Sequence, residues 1–152
     1  MITLEDYERT APVRWAIRRH ELLWYLHELA SPTFQQERWI EMKPGRPGVM
    51  YGFDFVVHFF FDDTELGEHP RNTLGDLLTD EQEVTALRNV VDALDRVLQE
   101  LSVGRDKADV EYVTSPRWPN VIATAREAYR LMRPRLRAEG DMALPPELSA
   151  EP

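Results

Sequence analysis

The chain contains no cysteine, which excludes a disulfide framework, a thiolate metal site and a cysteine nucleophile. Lysine is nearly absent: sixteen arginines stand beside only Lys43 and Lys107, a bias that fits a GC-rich bacterial coding sequence. Glycine is sparse, at seven residues. Its one dense cluster, Lys43-Pro44-Gly45-Arg46-Pro47-Gly48, lacks the GK[ST] ending of a phosphate loop, and its prolines remove backbone donors such a loop needs, so it reads as a connecting turn. No apolar run approaches the ~20 residues that span a bilayer. The opening Met1-Ile2-Thr3-Leu4-Glu5-Asp6 has neither the basic region nor the apolar stretch of a secretory leader, so cytoplasmic residence is expected.

What is present suits one folded domain. Hydrophobic residues make up 43% and aromatics 10% of 152 residues, enough for a core that buries roughly 70% of the unfolded surface. The net charge is −9, and residues 62 to 111, with fourteen Asp and Glu against five Arg and Lys, carry all of it. Phosphate would be repelled along that stretch, so nucleic acid is not the expected partner.

Periodicity points to an all-α bundle of about five helices. Thr3 and Asp6 have capping-box spacing for a first turn. Val13, Ala16, Ile17, His20, Trp24 and His27 recur at threes and fours, predicting a helix over about 12–30. Ser31-Pro32 opens a shorter one to Trp39 or Ile40. Phe53 to Phe61 fits both a helix and an alternating strand. The helix is preferred because no second strand exists to satisfy a lone strand's backbone groups. Thr73 to Leu78 has room for one turn. Thr79 and Gln82 then form a capping box before Val84, Leu87, Val91, Leu94, Leu98 and Leu101, an unbroken seam with Val90, Ala93 and Val97 as a second row. Gly104 breaks the pattern. Ser115-Pro116 and Pro119 open a last helix through Ile122, Ala125, Tyr129, Met132 and Leu136, and Pro134 stops or bends it. The expected domain is 1–138, with 139–152 a flexible acidic tail.

Two constellations bear on function. His58, Asp62, Asp63 and His69 are oxygen and imidazole donors in one short stretch and give a metal-binding alternative, although no HExxH-like pair supports it. His20 and His27 lie about 10 Å apart along a helix, too far to share an ion, and read as core-edge residues. Arg126, Arg130, Arg133 and Arg137, with Arg14 and Arg18, form basic stripes expected either to pair with the acidic centre of the chain or to make a solvated face. That centre supplies the main candidate site: Asp62, Asp63, Glu65, Glu68, Asp76, Asp80, Glu81 and Glu83, a single-sign surface suited to a basic protein partner.

Trp39, the block His58-Phe59-Phe60-Phe61-Asp62-Asp63-Thr64, the stretch Leu74-Gly75-Asp76 to Thr79-Asp80-Glu81, and Trp118 together resemble a family of small uncharacterised actinomycete proteins over residues 12 to 133. The resemblance implies no activity and no catalytic residues. By size and charge the chain is similar to immunity proteins that neutralise bacterial toxins. The expectation is a non-enzymatic protein-binding module without a cofactor. A metal-binding protein or metal-dependent enzyme is the first alternative, and a homodimer joined through the Val84 to Leu101 seam the second.

Overall fold

A computed structural model describes residues 5, 12–101, 108–137 and 143–148; the turn expected at Thr3 and Asp6 and the break at Gly104 lie outside them. Within the described residues the chain is all-α, with six helices and no strand. Helix α1 (Ala16–Ala30) begins later than the spacing from Pro12 suggests. The Arg14 and Trp15 N–H groups are drawn away to the carbonyls of Gly75 (2.7 Å) and Asp76 (2.8 Å). Those donors satisfy a neighbouring loop instead of extending the helix. Gly75 has φ 86°, a left-handed conformation that favours glycine.

Helix α2 (Pro32–Phe34) starts with Ser31 accepting from the Phe34 N–H at 3.2 Å. It continues as a π-helical segment, Gln35–Ile40, whose buried residues are Gln35 and Trp39. The exposed 41–50 loop follows. The aromatic segment is helical, as preferred: α3 (Phe53–His58) runs into a π-helical turn, Phe59–Asp63. Phe53, Val56, Phe59 and Phe60 are buried. Their spacing of three, three and one matches a helical face and not an alternating strand.

A 3-10 turn, Pro70–Thr73, leads to the amphipathic α4 (Glu81–Leu101). The cap of α4 sits one residue later than expected. Asp80 Oδ1, not Thr79, accepts from the Glu83 N–H (3.1 Å), and Glu83 accepts in turn from the Thr79 N–H (2.9 Å). Of the seam, Val84, Leu87, Val91 and Leu94 are buried within this chain, as are Val90, Ala93 and Val97 of the second row. The last two seam positions, Leu98 and Leu101, are partly buried.

The short α5 (Asp109–Val113) was not signalled by the periodicity. Its Asp109 carboxylate accepts the Phe53 N–H at the start of α3 (3.2 Å), and Tyr112 packs on Phe53 at 4.7 Å between ring centroids. Helix α6 (Trp118–Met132) begins after Ser115-Pro116 and passes into a 3-10 turn, Arg133–Arg135, where Pro134 denies a further helical donor. It packs against both α1 and α4 and is the centre of the bundle. Residues 143–148, expected in a loosely held tail, lie against α1 and α6, with Pro145 buried.

Charged groups close one end of this core. Arg19, 3% exposed at its side chain, forms a two-pronged pair with Glu83 (2.7 and 2.9 Å), which has no exposed side-chain surface, and donates to the Leu77 carbonyl at 2.7 Å. Arg135 reaches Glu83 from the other side at 2.9 Å, Asp80 at 3.0 Å and Gln82 at 2.8 Å. Burial pushes the Glu83 carboxyl up, but donors from Arg19, the Thr79 backbone and Arg135 outweigh it and leave its pKa at about 2.

Removing one partner strands the others' charge in a low-dielectric site. Glu83→Gln and Arg19→Met should each lose ~3–5 kcal/mol of unfolding free energy, and a joint apolar replacement of Arg19 and Glu83 should lose less than either, measured by urea denaturation. In the parent chain the Glu83 contribution is present above pH about 4.5 and is lost as pH falls toward about 2, because the unfolded carboxyl takes its proton first.

Candidate functional site

The acidic candidates do not form one uniform face. Asp62 and Asp63 end the π-helical turn of the aromatic segment, and the turn after them is anchored back onto it. Thr64 Oγ1 donates to the Phe59 carbonyl (2.8 Å) and the Gly67 N–H to the Phe60 carbonyl (2.8 Å). Helix-end carbonyls are thereby satisfied, and Asp62, Asp63, Glu65 and Glu68 are left exposed on a fixed backbone. Asp62 meets His58 Nδ1 at 2.5 Å on the surface. Asp63, Glu65 and Glu68 have no cationic side chain within ion-pair distance among the described residues.

The remaining candidates are engaged. Asp76 faces Arg14 at 3.8 Å, Glu81 pairs with Arg71, and Asp80 pairs with Arg135 while capping α4. Glu83 is wholly buried in the Arg19 and Arg135 cluster, so it supports the site without being part of its surface. Arg19 and Arg135 were not singled out by sequence. The available signal was a charge on an apolar stripe: Arg19 lies three residues from both Ala16 and Leu22, and Glu83 lies four before Leu87.

The metal alternative lacks a third donor. His58 and Asp62 meet, but among the described residues no group of three His, Asp or Glu side chains is placed to hold an ion. Beside the acidic turn lies an open cleft of about 780 Å³ between it and the start of α1, lined by Arg14, Trp15, Arg18, Glu21, Asp63 and Thr64. Its cations and carboxylates are balanced in number, so it interrupts the negative surface.

A second polar system lies behind α1. Gln35 donates to the Glu28 and Leu29 carbonyls (2.9 and 3.0 Å), and Arg126 donates to the Ala30 carbonyl (3.1 Å), so side chains cap the end of α1. Trp118 Nε1 donates to Gln35 (3.0 Å) and Trp39 Nε1 to the Glu28 carboxyl (3.2 Å). Burial raises the Glu28 pKa to about 7 against the lowering effects of Trp39 and Arg46. Next to it, His27 is held among Trp24, Phe34 and Tyr129, and burial, aided by Arg133, lowers its pKa to about 4. His20 is also buried, as expected of a core-edge residue.

These neighbours titrate with opposite consequences. Native Glu28 keeps a proton that the unfolded chain loses above about 4.5, so its contribution to stability falls as pH rises toward about 7. Native His27 stays neutral while the unfolded side chain protonates below about 6.5, so its contribution falls as pH drops toward about 4. Each is worth on the order of 3 kcal/mol across its window, and they offset one another between about 4.5 and 6.5. Urea midpoints against pH should show Glu28→Gln losing stability on acidification through that range and His27→Gln losing it on alkalinisation.

The chain has no match among curated proteins or among solved structures. A family model described as a domain of unknown function, DUF7945, matches residues 13–140. The match takes in the buried charge cluster, the aromatic core and every acidic candidate, and the chain belongs to that family.

Proposed function

We propose that this protein acts by binding a basic protein partner through the acidic turn at residues 62–68, with no chemistry of its own. The observation that carries the reading is that Asp63, Glu65 and Glu68 are exposed and lack a cationic partner among the described residues, whereas Asp76, Asp80 and Glu81 are paired within the chain. Unneutralised carboxylates on a fixed backbone project a field that speeds encounter with a cationic surface and weakens with salt. Asp62, Asp63, Glu65 and Glu68 form the centre of this recognition face; Asp76, Asp80 and Glu81 form its rim.

The concrete form we favour is an immunity or antitoxin-type protein that covers the basic active site of a toxin in a bacterial cytoplasm. The charge of −9 and the arginine-rich composition support that setting. No described helix is long and apolar enough to cross a membrane.

Capture on the immobilised chain at low salt, followed by association kinetics with the purified partner, tests the proposal. Reversing Asp62, Asp63, Glu65 and Glu68 to lysine should slow association at least tenfold and flatten its dependence on ionic strength. The quadruple variant should unfold at a temperature close to the parent's, since these side chains are exposed. A partner whose association rate ignores the reversal overturns the reading.

A further inference from the structure

Residues 143–148, Ala-Leu-Pro-Pro-Glu-Leu, lie across α1 and the end of α6, and every side-chain donor that meets their backbone there meets a carbonyl. Trp24 Nε1 donates to the Ala143 carbonyl at 3.1 Å. The Tyr129 hydroxyl donates to the carbonyls of Pro145 (3.1 Å) and Pro146 (2.5 Å), and Arg133 Nε donates to Pro145 at 3.0 Å. Among the described residues, the Trp24, Tyr129 and Arg133 groups that meet this backbone all donate to carbonyls, which suits a segment whose two prolines have acceptors and no N–H.

The ligand's shape is set in advance as well. Leu144 and Pro145 each precede a proline and are held extended by that fact alone, so little conformational freedom is lost on docking. Pro145 is buried and Leu144 and Leu148 pack against the core. Glu147 adds direction by pairing with Arg133 at 3.4 Å. On the groove side, Arg46 covers the face of Trp24 at 3.9 Å and His27 backs both Trp24 and Tyr129, so the indole N–H and the phenol are fixed in place. Aromatic-lined grooves are one recurring means of docking extended proline-rich segments.

We propose that the groove formed by Trp24, Tyr129 and Arg133 is a recognition site for an extended Leu-Pro-Pro-acid segment of a partner protein, occupied in this structure by the chain's own residues 143–148. Only residues 138–142 separate the segment from Arg137, and so short a tether gives an effective concentration of roughly millimolar. The resident segment therefore blocks weak ligands and yields to stronger ones. Among the described residues, an open cavity of about 220 Å³ bounded by Tyr129, Arg130, Arg133, Pro134, Glu147 and Leu148 adjoins the last position of the segment. A partner segment ending in phenylalanine or methionine should extend into it.

The test uses full-length chains and a fluorescein-labelled, terminally blocked Ala-Leu-Pro-Pro-Glu-Leu peptide, read by anisotropy. Two variants release the resident segment: Leu144→Asp with Leu148→Asp, and Pro145→Gly with Pro146→Gly. Each should bind the peptide at least tenfold tighter than the parent. Adding Tyr129→Phe or Trp24→Phe should weaken that binding several-fold, and a peptide ending in Phe should bind tighter than one ending in Leu. Folded release variants that bind no better than the parent, or that bind a scrambled peptide equally well, overturn the proposal. So does a parent dimer that the release substitutions dissociate, because the segment would then serve a second copy. Should neither release variant fold, titration of the parent with millimolar peptide decides: a shifted Trp24 indole N–H resonance supports the site and an unmoved one overturns it. The residues changed are outside the acidic turn, so the result is independent of binding there.

Discussion

The Arg19, Glu83 and Arg135 cluster is the interaction on which the arrangement of the rest depends. It ties the first turn of α1 and the turn after α6 to one carboxylate in the first turn of α4, and Arg19 also holds the Leu77 carbonyl of the loop before α4. Desolvating such charges is expensive, and their attraction repays it only when geometry is good and remaining donors are satisfied. Here the Arg19 fork is two-pronged and Glu83 also accepts a backbone N–H, while the buried Arg19 Nε is left without a hydrogen-bond partner among the described residues. Hydrophobic contact alone permits sliding and rotation; these directional bonds fix the relative height of α1, α4 and α6.

The acidic turn inherits that rigidity. Its carboxylates stand on a backbone tied to the end of the aromatic helix, and the loop that follows is bonded to the residues before α1 through Gly75 and Asp76. At the far end of α1, Gln35 and Arg126 cap the helix while Trp39 and Trp118 bring the aromatic core into the same network. One helix thus carries a charged clamp near its start and a polar cap at its end. The acidic turn projects beside the first, and the proline segment docks near the second.

Legibility followed the range of the interaction. The helical reading of Phe53 to Phe61 could be reached by elimination, since one strand without a partner cannot satisfy its backbone. The start of α1 could not: Pro12 and the pattern after it invite a helix, and only the Gly75 and Asp76 carbonyls, some sixty residues away, divert the Arg14 and Trp15 donors. The α4 cap is at Asp80, whose carboxylate accepts the Glu83 N–H, while Gln82, the expected partner of Thr79, accepts from Arg135 instead. Among the acidic candidates, sequence could not separate Asp63, Glu65 and Glu68, which have no cationic partner among the described residues, from Asp80 and Glu81, which pair with Arg135 and Arg71.

The pattern of apolar spacing, the absence of any strand partner and the lack of cysteine were enough to determine an all-α chain with its charge concentrated in the middle, because those properties depend on neighbours within a turn or two. Which charges remain free, which are buried as structure, and that a proline-rich stretch near the end lies in a groove of tryptophan, tyrosine and arginine were decided only by the tertiary fold. Each depends on donors and acceptors brought together from distant segments, and a hydrogen bond or ion pair across the bundle leaves no periodic trace in either partner's sequence.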